Sequence, residues 1–383
     1  MTKKNDSLAL LPNGFADLLP PYAEGEARCI ESLMDQFSAF GYRRIKPPLL
    51  EFEDSLLAPG PGERLANETF RVMDPVSHRM MGIRSDVTAQ VSRIVSSRLM
   101  NTIRPLRLMY ASDVLRTRGS QMRTERQFSQ VGCELISDDN DVQTDIEICV
   151  LSVLGLKSVG INNITLDMTI PGFVSSLMRG VDEENRDVIE KAVEQRDVDS
   201  LQSLGLDIAN NIAKALNSSG KEDHAFAVLD GVSVSEGVAN SLSRLKDISS
   251  GVNDALADLG VDDVSITIDV LEQGGFEYHE GFGFTLFSSD ARGELGRGGN
   301  YKIHFGDDEN VEMAKGFTLY MDTILQLSAS DVEKDAVFVD SAEKWSVILD
   351  LQSQGWTIIR GNGDVHPSCS HVYENGVVSK LVK

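Results

Sequence analysis

The residues best suited to chemistry cluster in one stretch, YASDVLRTRGSQMRTERQFSQVGCELI, residues 110–136. Near its end Val131, Cys133 and Leu135 alternate with Gln130, Gly132 and Glu134. A period of two marks a strand, so one face is apolar and the other carries an amide, a bare glycine and a carboxylate. Along such a strand Gln130 and Glu134 stand roughly 13 Å apart. The gap, floored by Gly132, suits a small polar molecule held between the two. Arg116 and Arg126 flank the polar loop that joins this run to an earlier extended one. A solvated antiparallel hairpin accounts for the same alternation, so the pattern needs support from elsewhere in the chain.

Three further segments carry candidate groups. RSDVTAQVSRIVSSRL (84–99) reads as a helix with Ser85 or Asp86 as N-cap and an apolar face of Val87, Val91, Ile94, Val95 and Leu99. Side chains at such a helix start, Asp86 and Thr88 among them, can converge on a ligand. GELGRGGNY (293–301) is glycine-rich and follows an extended run, an arrangement that can cradle phosphate, although it lacks P-loop spacing. His366, Cys369 and His371 lie close together but lack the fourth ligand and paired spacing of a metal site, so they read as a polar loop.

Composition limits the function classes. The chain has 383 residues, 41% hydrophobic and 25% charged, enough for one large or two ordinary domains. It has no run of about 18 apolar residues, so no membrane span is expected. MTKKNDSLALLPNG is too weak for a signal peptide, and four cysteines without a CxxC pair suggest reduced thiols and a cytoplasmic protein. The net charge of −23 argues against nucleic acid as a partner. Residues 71–126, however, hold 11 Arg against Asp74, Asp86, Asp113 and Glu125. A basic region on an acidic body points to an anionic small ligand.

The elements that must position these groups follow from periodicity. Residues 24–41 form an amphipathic helix stopped at Gly41, and RRIKPPLLEF is extended, its two prolines confining it to an edge. FRVMD and RMMGIR make a hairpin about PVSH. Residues 141–160 are helical, 162–168 a strand, and about 173–262 an acidic helical insertion. VSITIDV resumes the sheet, QGGFEYHEGFGFTLFSS reads as a strand pair, and AKGFTLYMDTIL is a strand entering a helix. From 331 to 383 a small β-α-β-β unit closes the chain.

The 110–136 hairpin resembles motif 2 of class II aminoacyl-tRNA synthetases, and that of histidyl-tRNA synthetase in particular: Arg126-Gln127-Phe128-Ser129-Gln130-Val131-Gly132-Cys133-Glu134 follows the pattern RQFxQxGxE. The helix and proline-bearing strand near the start resemble motif 1, a dimer interface. Residues 84–88 are similar to the LRPEGT segment, Gly298-Gly299-Asn300-Tyr301 to the AGGRYD turn, and 314–325 to motif 3. The resemblance implies an α+β fold, an antiparallel sheet flanked by helices over 1–325, with the helical insertion inside it and the α/β unit of 331–383 behind it. It also implies a histidine pocket of Asp86, Thr88, Arg116, Gln130, Glu134, Tyr278, His279 and Tyr301, in which Asp86 is one methylene shorter than the family's glutamate and His279 replaces a tyrosine.

The nucleotide-handling positions depart from the pattern. Arg118 stands where the family has a glutamate, and Gly274 and Thr323 where it has arginines. A retained amino-acid pocket, a broken ATP site and no full anticodon domain together resemble the regulatory subunits of ATP phosphoribosyltransferase. That implies a subunit with no catalytic residue and no cofactor of its own. It implies a short-form catalytic partner bearing Mg²⁺, activation of that partner, feedback by histidine, and a dimer within a hetero-octamer that starts histidine biosynthesis. A divergent amino-acid ligase and a histidine-binding scaffold for another partner are the competing expectations.

Overall fold

Pro47 and Pro48 cannot both serve a ladder, and the chain places them just after a rim strand. In the computed structural model, residues 10–58, 60–119, 123–137, 141–272, 278–328 and 335–381 are described. Helix α1 (Tyr22–Ala39) ends ahead of Gly41, whose φ of +84° supplies the left-handed stop. The rim strand β1 (Arg43–Arg44) follows, then β2 (Leu50–Phe52), α2 (Glu53–Leu56), β3 (Phe70–Met73) and β4 (Met80–Ile83). The last three strands form a separate sheet in the order β2-β4-β3, with β3 and β4 as the expected hairpin.

Next come α3 (Thr88–Arg98), β5 (Leu106–Leu115), β6 (Gln127–Ser137), α4 (Val142–Ser158) and β7 (Ile164–Thr169). The acidic insertion folds as α5 (Phe173–Leu177), α6 (Glu183–Glu194), α7 (Val198–Ser203), α8 (Asp207–Leu216), the short β8 (Gly220–Lys221), α9 (Glu222–Leu229) and α10 (Glu236–Asp258). The sheet resumes with β9 (Val264–Ile268), β10 (His279–Ser288), β11 (Gly296–Phe305) and β12 (Asp307–Tyr320), which runs into α11 (Met321–Ile324). Nine strands make one sheet, ordered β1-β5-β6-β12-β11-β10-β7-β9-β8. Its centre is antiparallel; β1 with β5 and β7 with β9 are parallel. This is the α+β, synthetase-like sheet that the motifs imply.

Of the strand pair expected over 273–289, β10 is present, and residues 273–277 lie outside the described residues. One expectation is corrected. The glycine-rich 296–301 run is not a turn but the first half of β11, paired on both edges. Its glycines serve close strand packing: a Cβ on Gly298 would stand 2.6 Å from the Gly316 carbonyl oxygen.

The sheet has two covered faces. On one, α1 and α4 bring Leu33, Phe37, Cys149 and Leu151 against Val131, Cys133, Leu135 and Leu319. On the other, α3 brings Val87, Val91 and Val95 against Tyr110, Ile136, Tyr301 and Ile303. The alternation along β6 thus feeds two cores, and every residue from Phe128 to Ser137 is buried.

The chain divides into two compact units, Met1–Ala329 and Ser330–Lys383. The second is built from β13 (Ala336–Asp340), α12 (Trp345–Ser353), β14 (Thr357–Gly361), β15 (His371–Glu374) and β16 (Val377–Lys380), in the sheet order β14-β13-β15-β16. The expected unit gains one strand, because Asn375 and Gly376, both at positive φ, close a tight hairpin. Val337, Val339, Ile348 and Leu351 fill its core. Cys369 is buried, whereas His366 is exposed and bonded to Ser368.

Candidate functional site

The site lies on the α3 face of the sheet, and cross-strand register builds it. Glu134 of β6 faces Gly316 of β12, Gly316 faces Gly299 of β11, and Gly299 faces Gly283 of β10. The next row reads Gly132, Thr318, Arg297, Thr285. On the far side Ile136, Ala314, Tyr301 and His279 line up. Residues in one row share a face, so a carboxylate opens onto a floor with no side chains, banked by Thr318 and Arg297 on one side and Tyr301 on the other. A Cβ on Gly316 would collide with the Glu134 carboxylate.

The result is a small cavity, about 30 Å³, lined by Asp86, Thr88, Glu134, Tyr278, His279, Arg297 and Tyr301 together with residues of β12. Glu134 is 1% exposed. Three hydroxyls reach it: Tyr301 donates to Oε2 at 3.0 Å, Thr88 to Oε1 at 3.1 Å and Tyr110 to Oε1 at 3.4 Å. Loss of water outweighs these bonds, and the charge of Asp86 adds to it, so the Glu134 carboxyl is pushed up to about 8. An acid so placed stays protonated until a cation or an N–H donor comes beside it.

Asp86 enters from the start of α3. Helix α3 begins at Thr88 with Val87 as the capping residue, one or two positions later than the sequence suggests. Asp86 still satisfies an orphan amide there: its Oδ1 accepts from the Thr88 N–H at 2.8 Å. Its Oδ2 accepts from the Gln130 side chain at 2.9 Å, while the Gln130 Oε1 accepts from the Val87 N–H at 3.0 Å. Gln130 therefore clamps the helix start to the strand. Tyr278 stacks on His279 with ring centroids 4.2 Å apart and meets Tyr301 edge-on at 6.0 Å. Enclosure beside the Arg297 guanidinium pushes the His279 imidazole down to about 3, so it is neutral at ordinary pH.

Not every expected site residue reaches the cavity. Asp86, Thr88, Glu134, Tyr278, His279 and Tyr301 do; Gln130 and Arg116 do not line it. Gln130 is spent on Asp86 and Val87. Arg116 faces Glu68 at 3.4 Å and lies over the Phe128 ring. The glycine gap between Gln130 and Glu134 is also filled, because a Cβ on Gly132 would stand 2.5 Å from the Tyr110 hydroxyl. That hydroxyl shares a 2.7 Å hydrogen bond with Thr318. The open space lies instead on the β12 and β11 side of Glu134.

The basic region is corrected as well. Arg71, Arg93, Arg104, Arg107 and Arg123 pair with Glu53, Glu51, Glu312, Glu147 and Asp322, all of them outside the 71–126 stretch. Arg84 donates to the backbone carbonyls of Asp113 and Pro47. These arginines knit the fold together, and the cavity itself carries two carboxylates and the Arg297 guanidinium. Sequence reasoning missed Arg297. The available signal was an arginine between glycines in a run of strand length, which the turn reading concealed.

Of the altered nucleotide positions, Gly274 lies outside the described residues. Thr323 is buried in α11. Arg118 is exposed. Arg123, beyond it in the same loop, is 7% exposed, held by Asp322 at 2.7 Å and stacked over Tyr320 at 3.8 Å and Phe128 at 4.6 Å. Among the described residues no group of three or more His, Cys, Asp and Glu side chains is arranged to hold a metal ion. No helix among them is long and apolar enough to cross a membrane.

Comparison with known proteins adds an independent view. A family model described as Histidyl-tRNA synthetase matches residues 14–324. An ATP phosphoribosyltransferase regulatory subunit from Rhodospirillum centenum is 38% identical, covering 98% of this chain and 97% of that protein. Among solved structures, an ATP phosphoribosyltransferase regulatory subunit/histidyl-tRNA synthetase from Bacillus halodurans superposes with a TM-score of 0.78 at 20% identity, covering 94% of each chain. A chain of the ATP phosphoribosyl transferase (HisG:HisZ) complex from Thermotoga maritima gives 0.59 at 17% identity, covering 77% of this chain and 97% of that one.

Proposed function

Because the chain belongs to the family of ATP phosphoribosyltransferase regulatory subunits, which share the histidyl-tRNA synthetase fold, we propose that it senses histidine in the Glu134 cavity and passes that state to a short-form catalytic partner. The observation that carries this reading is the buried Glu134, ringed by Tyr301, Thr88 and Tyr110 hydroxyls and facing a glycine floor. A carboxyl held near pH 8 by burial gains most from a ligand that brings its own positive charge or N–H. Imidazole and ammonium groups do so, and Asp86 supplies a second carboxylate at the same cavity.

The subunit itself performs no adenylation in this reading. Support comes from Arg118 and Thr323, which stand where the synthetase pattern has a glutamate and an arginine. Loss of one arginine finger in phosphoryl transfer costs roughly 10³- to 10⁵-fold in rate. Arg123 is spent on Asp322 and two aromatic rings. The Mg²⁺ that the overall reaction needs belongs to the partner. A partner of that kind is named with the Thermotoga maritima neighbour, and a dimer within a hetero-octamer is the assembly the reading entails.

Coupling of this kind amounts to about 1–3 kcal/mol and is reciprocal in affinity: what histidine does to this subunit's affinity for the partner, the partner does to its affinity for histidine. The test mixes this protein with a short-form catalytic subunit and follows phosphoribosyl-ATP formation with and without histidine. Faster turnover in the mixture, reversed by histidine, is the expected result. A mixture no faster than the catalytic subunit alone removes the activator role. Histidine-dependent exchange of pyrophosphate into ATP by the isolated chain would instead mark it as a ligase.

A further inference from the structure

A second cavity lies away from the Glu134 site. Helix α3 turns Val87, Val91 and Val95 to the sheet. Another stripe of it, Ser92, Arg93 and Ser96, meets α2 and the end of β11 around about 240 Å³ of open space. Ser55 of α2 and His304 of β11 stand on the other walls. The loop leaving α2 closes tightly over one side: a Cβ on Gly62 would stand 2.4 Å from the Leu56 carbonyl oxygen. The space is far larger than the cavity beside Glu134 and takes a small solute rather than a single water.

Its walls offer donors to negative charge. Glu51 fixes the Arg93 guanidinium by a fork, accepting from Nε and Nη2 at 2.6 Å each. Those bonds leave Nη1, which makes no hydrogen bond to a described residue. Ser92 is 8% exposed, and neither its hydroxyl nor that of Ser55 is bonded to another described residue. The Nδ1 of His304 is buried and has no hydrogen-bond partner among the described residues. Native interiors rarely leave a ring nitrogen so. In a chain of net charge −23, the described residues that line this cavity include no carboxylate. Glu51 offsets the charge of Arg93 from outside the lining, so hydrogen-bond donors rather than net charge do the recognising.

We propose that this cavity is a second ligand site, separate from the Glu134 pocket, and that it takes a small tetrahedral oxyanion of the phosphate type, free or on a small ester. The Ser55 and Ser92 hydroxyls, the Nη1 end of Arg93 and the His304 ring, with its proton on Nδ1, are its donors.

Titration calorimetry on the full chain with inorganic phosphate, glycerol 3-phosphate and glycerol tests this. Both phosphates should bind and glycerol should not. Tighter binding of the ester supports an esterified ligand, and tighter binding of phosphate supports the free ion. Ser92→Ala and His304→Phe should each weaken phosphate binding about 10-fold, the value of one hydrogen bond to a charged group. Histidine affinity should stay where it was in both variants, and thermal unfolding without ligand establishes that each one folds. A crystal soaked in selenate should show its anomalous peak between Ser92 and His304. No phosphate binding by the unaltered chain, glycerol binding as tight as that of the phosphates, or phosphate affinity unchanged in both variants would overturn the site. Those results leave histidine binding at Glu134 untouched. Histidine affinity that fell along with phosphate affinity would overturn the separateness of the two sites.

Discussion

The two faces of the central sheet use the same strands to opposite ends. Under α1 and α4, β6 and β12 present Val131, Cys133, Leu135, Phe317 and Leu319, all buried against helices. Under α3 the alternate positions are Gln130, Gly132, Glu134, Gly316 and Thr318. The first face draws its stability from apolar area removed from water, at about 25 cal/mol per Å². The second buries a carboxyl, three carboxylate-binding hydroxyls and an amide, and it holds them only because each is bonded to another. Volume is the currency on the first face. Partner geometry is the currency on the second, where a single methyl group in the wrong place matters more than a lost methylene elsewhere.

That contrast can be broken at Gly316. Gly316→Ala drives a methyl group into the Glu134 carboxylate, and overpacking of this kind costs about 1–3 kcal/mol. Chemical denaturation should show that loss, and calorimetry should show histidine binding abolished. Binding that survives unchanged would move the ligand away from Glu134.

Leu135→Ala probes the opposite face one residue along the same strand. Leu135 is fully buried, so about 2–5 kcal/mol of stability should be lost. Histidine affinity, measured well below the unfolding temperature, should change little. If affinity falls as far as stability, the two faces are coupled and the contrast fails.

Glu134→Gln sharpens the polar face through pH. Burial pushes the folded carboxyl up to about 8, against an ordinary value of 4.5. Between those values the folded state holds a proton that the unfolded chain has released, so stability falls as pH rises from 4.5 to 8 and is flat for this group above 8. In Glu134→Gln that part of the slope disappears. Near neutral pH, histidine binding to the unaltered protein should also release a proton, seen as a binding enthalpy that varies with the buffer. A buffer-independent enthalpy would show that the ligand does not ionise Glu134.

The smallest effect is expected at Tyr301→Phe. It deletes one 3.0 Å hydrogen bond to Glu134, worth about 0.5–1.5 kcal/mol. Histidine affinity should drop a few-fold, and the apparent titration of Glu134 should move further up. A drop as large as that in Glu134→Gln would make the tyrosine a ligand contact in its own right.

Part of this was readable from the chain. Alternation along 130–135 identified β6 and its two faces, and Gly41 and Asp86 marked the end of one helix and the start of another. Those features are local: a period of two, a left-handed stop, a side chain reaching an amide two residues on. Tyr110 over Gly132, Arg297 across from Glu134 and the arginines paired with distant acids were not readable. Each depends on which elements lie beside which, and on the register between them. The sequence by itself determined the kinds of group available and the face each one takes, because backbone geometry repeats every few residues. Only the tertiary structure decided which of them meet, because cross-strand pairing is set by how the whole sheet closes on its helices.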